Sequence, residues 1–178
     1  MNRWLVVVVG LVVVGCGTRV ATVREPVAVS HLTQSLPRRW LTIQTRQDTL
    51  VLTARRRRHI RFEQPVVIDQ PTVVIGATWR FDTAAAVVVP EGRSLRLVGT
   101  TLASVSPTRR WPGIYMPDGG HLAGAVHRKR SSRIVQAQSG LQGHPTHHAL
   151  TVRGLTFERC LTGLKVHAEA NTQVSHNR

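Results

Sequence analysis

Short runs of apolar residues alternate with polar residues along most of the chain. Residues 41–45 and 49–53 place apolar side chains at every second position, the period of a half-buried β-strand. Further runs are bounded by Gly, Pro or Asp and are too short and too rich in valine for helices: residues 66–68, 72–75, 87–89 and 95–98. Because no stretch has the period of an amphipathic helix, the pattern predicts an all-β chain.

A loose internal repeat runs through the second half of the chain. Several short strand patterns fall within each repeat, which is typical of a solenoid whose coils bury their apolar faces against one another. We therefore predict a short parallel β-solenoid, with Leu141 and Leu164 in one core ladder and a glycine at each sharp turn. The repeat is marked by three glycine–aliphatic pairs at intervals of 27 and 23 residues: Gly113-Ile114, Gly140-Leu141 and Gly163-Leu164.

Five segments resemble right-handed parallel β-helix proteins that bacteria export, especially those of the Bacteroidota. They are VVIGATWRF (73–81), VVPEGRSLRLVGTT (88–101), WPGIY (111–115), GGHL (119–122) and residues 155–164. The resemblance spans roughly residues 65–178, with Pro112 in place of a family glycine. It implies an all-β, right-handed, pectate-lyase-like β-helix. That family includes lyases, glycosidases, adhesins and surface proteins of unknown role, so the resemblance leaves the function open.

The N-terminus has the parts of an export signal. Arg3 precedes an apolar run over residues 4–14, which is shorter than the roughly 20 residues of a membrane-spanning helix. Val13, Val14, Gly15 and Cys16 then resemble the bacterial lipobox, although Val13 stands where leucine is commoner. The pattern predicts a signal peptide over residues 1–15 that is removed after export.

The lipobox resemblance implies a lipid anchor on Cys16 and hence a membrane partner. Gly17 follows the cysteine where aspartate would retain a lipoprotein in the inner membrane, so the resemblance implies the outer membrane, on its periplasmic or surface face. We expect residues 16–40 to form a lipidated tether and residues 41–178 the β-helix domain. The alternatives are an ordinary secretory signal with an unmodified cysteine, or a short N-terminal membrane anchor.

The folded domain keeps one cysteine. Cys16 and Cys160 are the two cysteines of the chain, and lipid on the first leaves no intramolecular disulfide. Cys160 lies in an apolar-patterned segment, which favours a small buried core residue. The alternative is a reactive thiol.

The chain is strongly basic. It has 24 Lys and Arg against 9 Asp and Glu, a formal net charge of +15. Because guanidinium groups bind carboxylate and phosphate bidentately, we expect anionic partners such as acidic polysaccharide, anionic lipid or lipopolysaccharide. An exported lipoprotein rarely meets nucleic acid, and the chain has few aromatic residues for base stacking, so no nucleic-acid partner is expected. The alternative is a solvated basic surface that reflects arginine-rich codon usage.

Two basic clusters stand out. Residues 55–58 are four consecutive arginines followed by His59, a run typical of an exposed turn that would also suit anion docking. The second cluster has the composition to bind a uronate or phosphate chain along the solenoid, or to be a solvated loop between strands. It comprises Arg128, Lys129, Arg130 and Arg133, which are our candidate ligand-binding residues.

The acidic residues indicate no active site. In the β-helix family, enzymes use clustered carboxylates or acidic calcium ligands, whereas the nine acids here are well separated in sequence. Glycosidases need two carboxylates about 5 to 9.5 Å apart, a distance that Glu158 and Asp118 would meet only if adjacent coils brought them together. We predict no catalytic residues and a non-enzymatic surface or periplasmic protein that has a structural role or binds anionic glycans or protein partners. The alternative is a polysaccharide lyase or glycoside hydrolase, or a truncated remnant of one.

A histidine-rich segment offers metal-ligand chemistry. His144, His147 and His148 lie within five residues, but zinc needs its ligands on one side of a rigid element, with a further ligand nearby. Gly143 and Pro145 mark a loop instead. We predict a solvated loop, no metal site and no other cofactor.

The last residues of the sequence include a strand pattern at 172–174. A solenoid needs a polar cap over its last coil, and none is visible in the sequence. Either another molecule covers this edge, which would favour self-association through the C-terminal coil, or the sequence is a shortened member of a longer family.

Overall fold

The structure is a computed structural model that describes residues 19–36, 40–54, 58–144, 149–167, 172–175 and 177. The first ten strands are β1 (Arg19–Val23), β2 (Val27–Ala28), β3 (Leu41–Arg46), β4 (Thr49–Ala54), β5 (Arg58–Phe62), β6 (Val66–Val67), β7 (Thr72–Ile75), β8 (Thr78–Phe81), β9 (Val87–Val88) and β10 (Ser94–Val98). The others are β11 (Thr101–Ser104), β12 (Trp111–Met116), β13 (Gly120–Ala125), β14 (Ser132–Val135), β15 (Ala137–Gly143), β16 (Leu150–Arg153), β17 (Leu155–Glu158), β18 (Thr162–Val166) and β19 (Thr172–Ser175). A 3₁₀ helix (Val29–His31) and helix α1 (Leu32–Ser35) lie between β2 and β3.

Three sheets form the walls of a β-solenoid of about five turns. Sheet A has the order β1-β5-β8-β11-β14-β17, sheet B β2-β6-β9-β12-β15-β18, and sheet C β3-β4-β7-β10-β13-β16-β19. The chain visits sheets A, B and C in turn, and neighbouring strands are parallel except for the β3–β4 hairpin. The predicted all-β parallel solenoid is confirmed.

Apolar side chains of successive coils stack in register inside the solenoid. In sheet B the strand pairings align, coil after coil, Val66, Val87, Ile114, Leu141 and Leu164. The predicted ladder through Leu141 and Leu164 is therefore confirmed. Each fully buried aliphatic side chain contributes about 1.5–3 kcal/mol, and in a solenoid this is gained only when the neighbouring coil is in place.

Four aromatic side chains that are fully buried fill the middle of the core: Phe62, Trp79, Phe81 and Trp111. The Phe81 ring stacks on Phe62, with 5.2 Å between ring centroids, and on Trp111, with 4.3 Å. The Trp111 indole N–H donates to the carbonyl oxygen of Val135 at 3.0 Å, so its polar atom is satisfied inside the core. The stack joins three successive coils.

The glycines of the internal repeat lie within strands, so their prediction as turn residues was wrong. Gly113, Gly140 and Gly163 belong to β12, β15 and β18. A Cβ at Gly140 would overlap the Phe157 ring and lie 2.5 Å from the carbonyl oxygen of Gly163. Glycine is needed at position 140 because the neighbouring coil occupies the space of a side chain.

Residues 19–36 are packed into the solenoid, whereas their sequence pattern predicted a tether. Strand β1 pairs along its length with β5, and β2 pairs with β6. Val29 and Leu32 are buried, and the Ser30 backbone N–H and hydroxyl donate to the Asp69 carboxylate at 3.2 and 2.5 Å. This segment lacks a sustained period because two short strands and a helical turn follow one another within it. The β-rich unit therefore begins before residue 41.

The opposite end of the solenoid is formed by β17, β18 and β19, the outermost strands of the three sheets. Leu161 and Val174 are 72% and 47% exposed there. The Asn177 side chain accepts the Leu155 backbone N–H at 3.0 Å and donates to the Val152 carbonyl oxygen at 3.2 Å, which closes part of this edge. Self-association through this coil remains a prediction.

We expect Gly124→Ala to destabilise the solenoid more than Gly92→Ala. A Cβ at Gly124 would overlap the carbonyl oxygen of Gly154, a backbone atom of the next coil, so two strands must separate. Gly92 has a φ of +65°, and a methyl group added there would meet nothing within 4 Å, so alanine costs only about 1–2 kcal/mol of backbone strain. Urea unfolding followed by circular dichroism gives the two midpoints. Equal midpoints would contradict the close packing at Gly124.

Candidate functional site

The link from β13 to β14 is longer than the other described links from sheet C to sheet A. In the other links of this kind that the structure describes, the chain turns the corner in one or two residues, at Gly154 or at residues 76–77 and 99–100. Between β13 and β14 it takes six residues, 126–131, which we call the basic hairpin. The hairpin carries Arg128, Lys129 and Arg130, all of them exposed, so the structure brings three of the four candidate ligand-binding residues together.

The tip of the basic hairpin is a strained two-residue turn. His127 and Arg130 exchange two backbone hydrogen bonds of 2.9 Å, and the turn between them has positive φ at both positions, 48° at Arg128 and 65° at Lys129. Asparagine and glycine are the residues that suit such a turn. Each L-residue with a larger side chain costs about 1–2 kcal/mol there. Strain of this kind is a reason to look for a function at the tip.

The base of the hairpin is held firmly against the solenoid. A Cβ at Gly99 would lie 2.6 Å from the Cβ of His127, so the hairpin closes directly onto the preceding coil. At the C-terminal end of the hairpin, the buried Ser132 hydroxyl is the donor to two carbonyl oxygens. It lies 2.7 Å from that of Leu97 and 2.8 Å from that of Ala125. These contacts fix the position of the hairpin backbone that carries the three basic side chains.

The outer surface of sheet C adds further basic groups beside the hairpin. Arg96, His121 and Arg153 are exposed and alternate with buried aliphatic residues of β10, β13 and β16. The strands of sheet C contain no Asp or Glu, and neither do the segments of sequence that link them to sheet A. We call the hairpin together with Arg96, His121 and Arg153 the basic face.

Apart from Asp48 in the β3–β4 turn and Glu158 at the end of β17, the acidic residues in the described part of the chain lie in links at the other two corners of the solenoid. Glu63 and Asp82 follow strands of sheet A, where Arg61 pairs with Asp82 at 2.7 Å and with Glu63 at 3.7 Å. The ion pairs found within the described part of the chain involve arginines that belong to sheet A or directly follow one of its strands. None of these pairs involves an arginine of the basic face. The links from sheet B to sheet C carry Asp69, Glu91 and Asp118.

Arg133, the fourth candidate residue, lies outside the hairpin. It belongs to β14 on the outer surface of sheet A, and its guanidinium lies 3.4 Å from the Glu158 carboxylate. The same surface holds His59, whose pKa is lowered by burial and by the neighbouring Arg80 charge. Because Glu158 offsets its charge, we leave Arg133 out of the basic face.

The carboxylates considered for glycoside chemistry belong to different surfaces. Glu158 ends β17 in sheet A and pairs with Arg133, whereas Asp118 lies in the link from sheet B to sheet C. The register aligns Glu158 with Val135 of the adjacent coil rather than with an acid. The fold therefore does not bring these two side chains together as a catalytic pair.

The histidine-rich segment is described only in part, since His147 and His148 lie outside the described residues. The His144 ring stacks on His167 of the next coil, with 4.7 Å between centroids, and Tyr115 meets it edge on at 6.3 Å. Among the residues that the structure describes, no three His, Cys, Asp or Glu side chains form a group that could hold a metal ion.

Cys160 packs against the edge of the core. It is half-buried, and its Sγ lies 3.6 Å from the carbonyl oxygens of Ile134 and Glu158. Burial raises the pKa of the thiol, which lowers the fraction of reactive thiolate at neutral pH. These contacts fit a structural residue.

Sequence reasoning missed Arg96, His121 and Arg153 as members of one surface. The sequence did indicate that each of these residues faces outward, because each stands next to a buried aliphatic residue in an alternating pattern. Their alignment was hidden because the links between strands vary in length, from one residue at Gly154 to six at the hairpin.

The predicted signal peptide, Cys16 and the arginines 55–57 lie outside the described residues. No helix in the described part of the chain is both long and apolar enough to cross a membrane. Comparison with protein families, with curated proteins and with solved structures found no match for this chain.

Proposed function

We propose that the protein is an exported, lipid-anchored β-solenoid that binds acidic glycans through its basic face and catalyses no reaction. The observation that carries this proposal is the basic hairpin. It projects Arg128 and Lys129 on a strained turn that a neutral Asn-Gly pair would form at lower free energy. A sequence that keeps charged side chains at such a turn indicates a use for those charges.

The distribution of charge supports an anionic ligand. The basic face carries no carboxylate of its own, whereas Arg61 and Arg133 on sheet A are paired with acids. A surface of one sign attracts oppositely charged polymers and raises their rate of association. Arginine also binds carboxylate and sulfate groups bidentately, which favours glycans that carry them.

A binding role is favoured over catalysis by the placement of the acids. Glycoside hydrolysis needs two carboxylates near one sugar, and Glu158 is engaged with Arg133 on a surface away from Asp118. The basic face itself has Arg, Lys and His but no carboxylate, so it lacks the pair of acids that glycoside hydrolysis uses.

The membrane anchor is supported by the sequence around Cys16. An apolar run ends at Val13, Val14 and Gly15, the order of residues in the bacterial lipobox. Acyl chains stabilise membrane attachment by about 0.8 kcal/mol per buried CH₂, and two or more chains hold a protein stably. Attachment at the outer membrane would place the basic face among envelope glycans.

We expect Cys16→Ser to abolish lipid attachment while Cys160→Ser leaves it intact. Cys16 is the residue that the lipobox would modify, and Cys160 is the only other cysteine. Incorporation of labelled palmitate and the intact mass of protein from the membrane fraction test this. Label retained by Cys16→Ser, or absent from the unmodified sequence, would contradict the anchor.

Neutralising the hairpin tip should weaken glycan binding. We expect the double variant Arg128→Gln, Lys129→Gln to bind hyaluronan about two- to thirtyfold more weakly at low salt, because each exposed charge contact contributes about 0.2–1 kcal/mol. The matched control is Arg109→Gln, Arg110→Gln, which removes two exposed arginines between sheets A and B. Calorimetry measures both affinities. Equal losses in the two variants would mean that net charge alone drives binding.

Relieving the strain at the tip should stabilise the protein and weaken its binding. We expect Arg128→Asn, Lys129→Gly to raise the free energy of unfolding by about 1–2 kcal/mol, because both residues suit positive φ. The double glutamine variant at the same positions keeps the strain and should gain no stability. Urea unfolding of both variants, beside their hyaluronan affinities, separates the two effects. A loss of stability in the Asn-Gly variant would argue against the strained turn.

A further inference from the structure

Two arginines of the basic face occupy the same position in alternate coils. The strand pairings align Arg96 of β10 with Ala123 of β13, and Ala123 with Arg153 of β16. Neighbouring strands lie about 4.8 Å apart, so the two arginine backbones are separated by roughly 9–10 Å along the solenoid axis. Both side chains are exposed on the outer surface of sheet C.

The position between the two arginines carries a small side chain. Ala123 presents a single methyl group, so the surface between the guanidinium groups is a shallow, open floor. His121 lies beside this floor, two residues before Ala123 on the same strand. The strands of sheet C contain no carboxylate, and no ion pair found among the described residues uses Arg96 or Arg153, so both guanidinium groups can donate to a ligand.

Two arginines held on one sheet favour a ligand whose charges are suitably spaced. Strand pairing fixes the two arginine backbones, so a ligand with two anionic groups at a comparable spacing gains the second contact within the same complex. In a linear polysaccharide, charged sugars that alternate with neutral sugars repeat over a comparable distance. A bilayer of anionic lipid presents mobile charges without a fixed spacing, so it would gain nothing from the open floor at Ala123.

We propose that Arg96 and Arg153 bind two successive carboxylates of one linear acidic polysaccharide, which lies along the solenoid axis across Ala123 with a neutral sugar above the methyl group. This inference rests on the proposed glycan binding and names its ligand class. The basic hairpin stands beside this row and supplies additional, less specific attraction.

Hyaluronan oligosaccharides test the spacing, because glucuronate alternates in them with a neutral sugar. The affinity of the full chain is measured by calorimetry for fragments with one, two and three glucuronates. We expect an increase of about tenfold or more on going from one glucuronate to two. In Arg96→Gln and in Arg153→Gln, that increase should disappear, while the affinity for the fragment with one glucuronate falls at most a few-fold.

A charge placed on the open floor provides a second test with a matched control. Ala123→Glu puts a carboxylate between the two guanidinium groups, where it competes with the ligand, and should remove the increase. Gln138→Glu makes the same change of charge at an exposed position of β15 in sheet B and should leave the increase in place. Circular dichroism confirms that each variant is folded.

The outcomes separate this inference from the function on which it rests. Hyaluronan binding that depends on Arg128 and Lys129 but shows no increase at two glucuronates would overturn the axial ligand and leave glycan binding standing. Absence of binding to any fragment would overturn both. Stronger binding to phosphatidylglycerol vesicles than to hyaluronan, lost equally in Arg96→Gln and Arg109→Gln, would assign the charge to a lipid surface instead.

Discussion

The parallel register between coils is the constraint on which the rest of this structure depends. A single coil cannot bury its apolar side chains, and the next coil covers them only if equivalent positions meet. Register places Phe81 between Phe62 and Trp111, and it places Leu141 against Leu164. The same register acts on the outer surface, where it aligns Arg96 with Arg153 across a small residue. The register between strands therefore determines both the packing of the core and the arrangement of charges on the surface.

The lengths of the links between sheets vary most from coil to coil, and within the strands the β12–β15 pairing shifts register between Gly113 and Ile114. The basic hairpin adds residues between β13 and β14, yet its two legs are joined by backbone hydrogen bonds between His127 and Arg130. Ser132 then returns the chain to sheet A with a buried hydroxyl that contacts the Leu97 carbonyl oxygen. The three corners also differ in charge, since links after sheets A and B carry acids, whereas the links from sheet C to sheet A carry basic residues and no acid. An extended basic face is compatible with the fold because it lies on the outside of a sheet whose inner side is apolar.

Local pattern predicted those parts of the fold that depend on neighbours in sequence. Alternation identified β3, β4 and most later strands, and the glycine–aliphatic pairs marked one true core ladder. The same glycines were misread as turns, because the reason for Gly140 is the Phe157 ring of the next coil, which no local pattern reveals. Residues 19–36 were misread as a tether because β1 and β2 are recognisable as strands only through their partners β5 and β6.

The sequence by itself determined that the chain is β-rich, repetitive and strongly basic, because strand period, turn residues and charge are properties of neighbouring residues. It also identified Arg128, Lys129 and Arg130 as one cluster, since they are consecutive. Only the tertiary structure decided which other charges join them. It brought in Arg96 and Arg153, which are 57 residues apart, and assigned Arg133 to Glu158. Links of unequal length conceal this register, and only the pairing of strands in three dimensions establishes it.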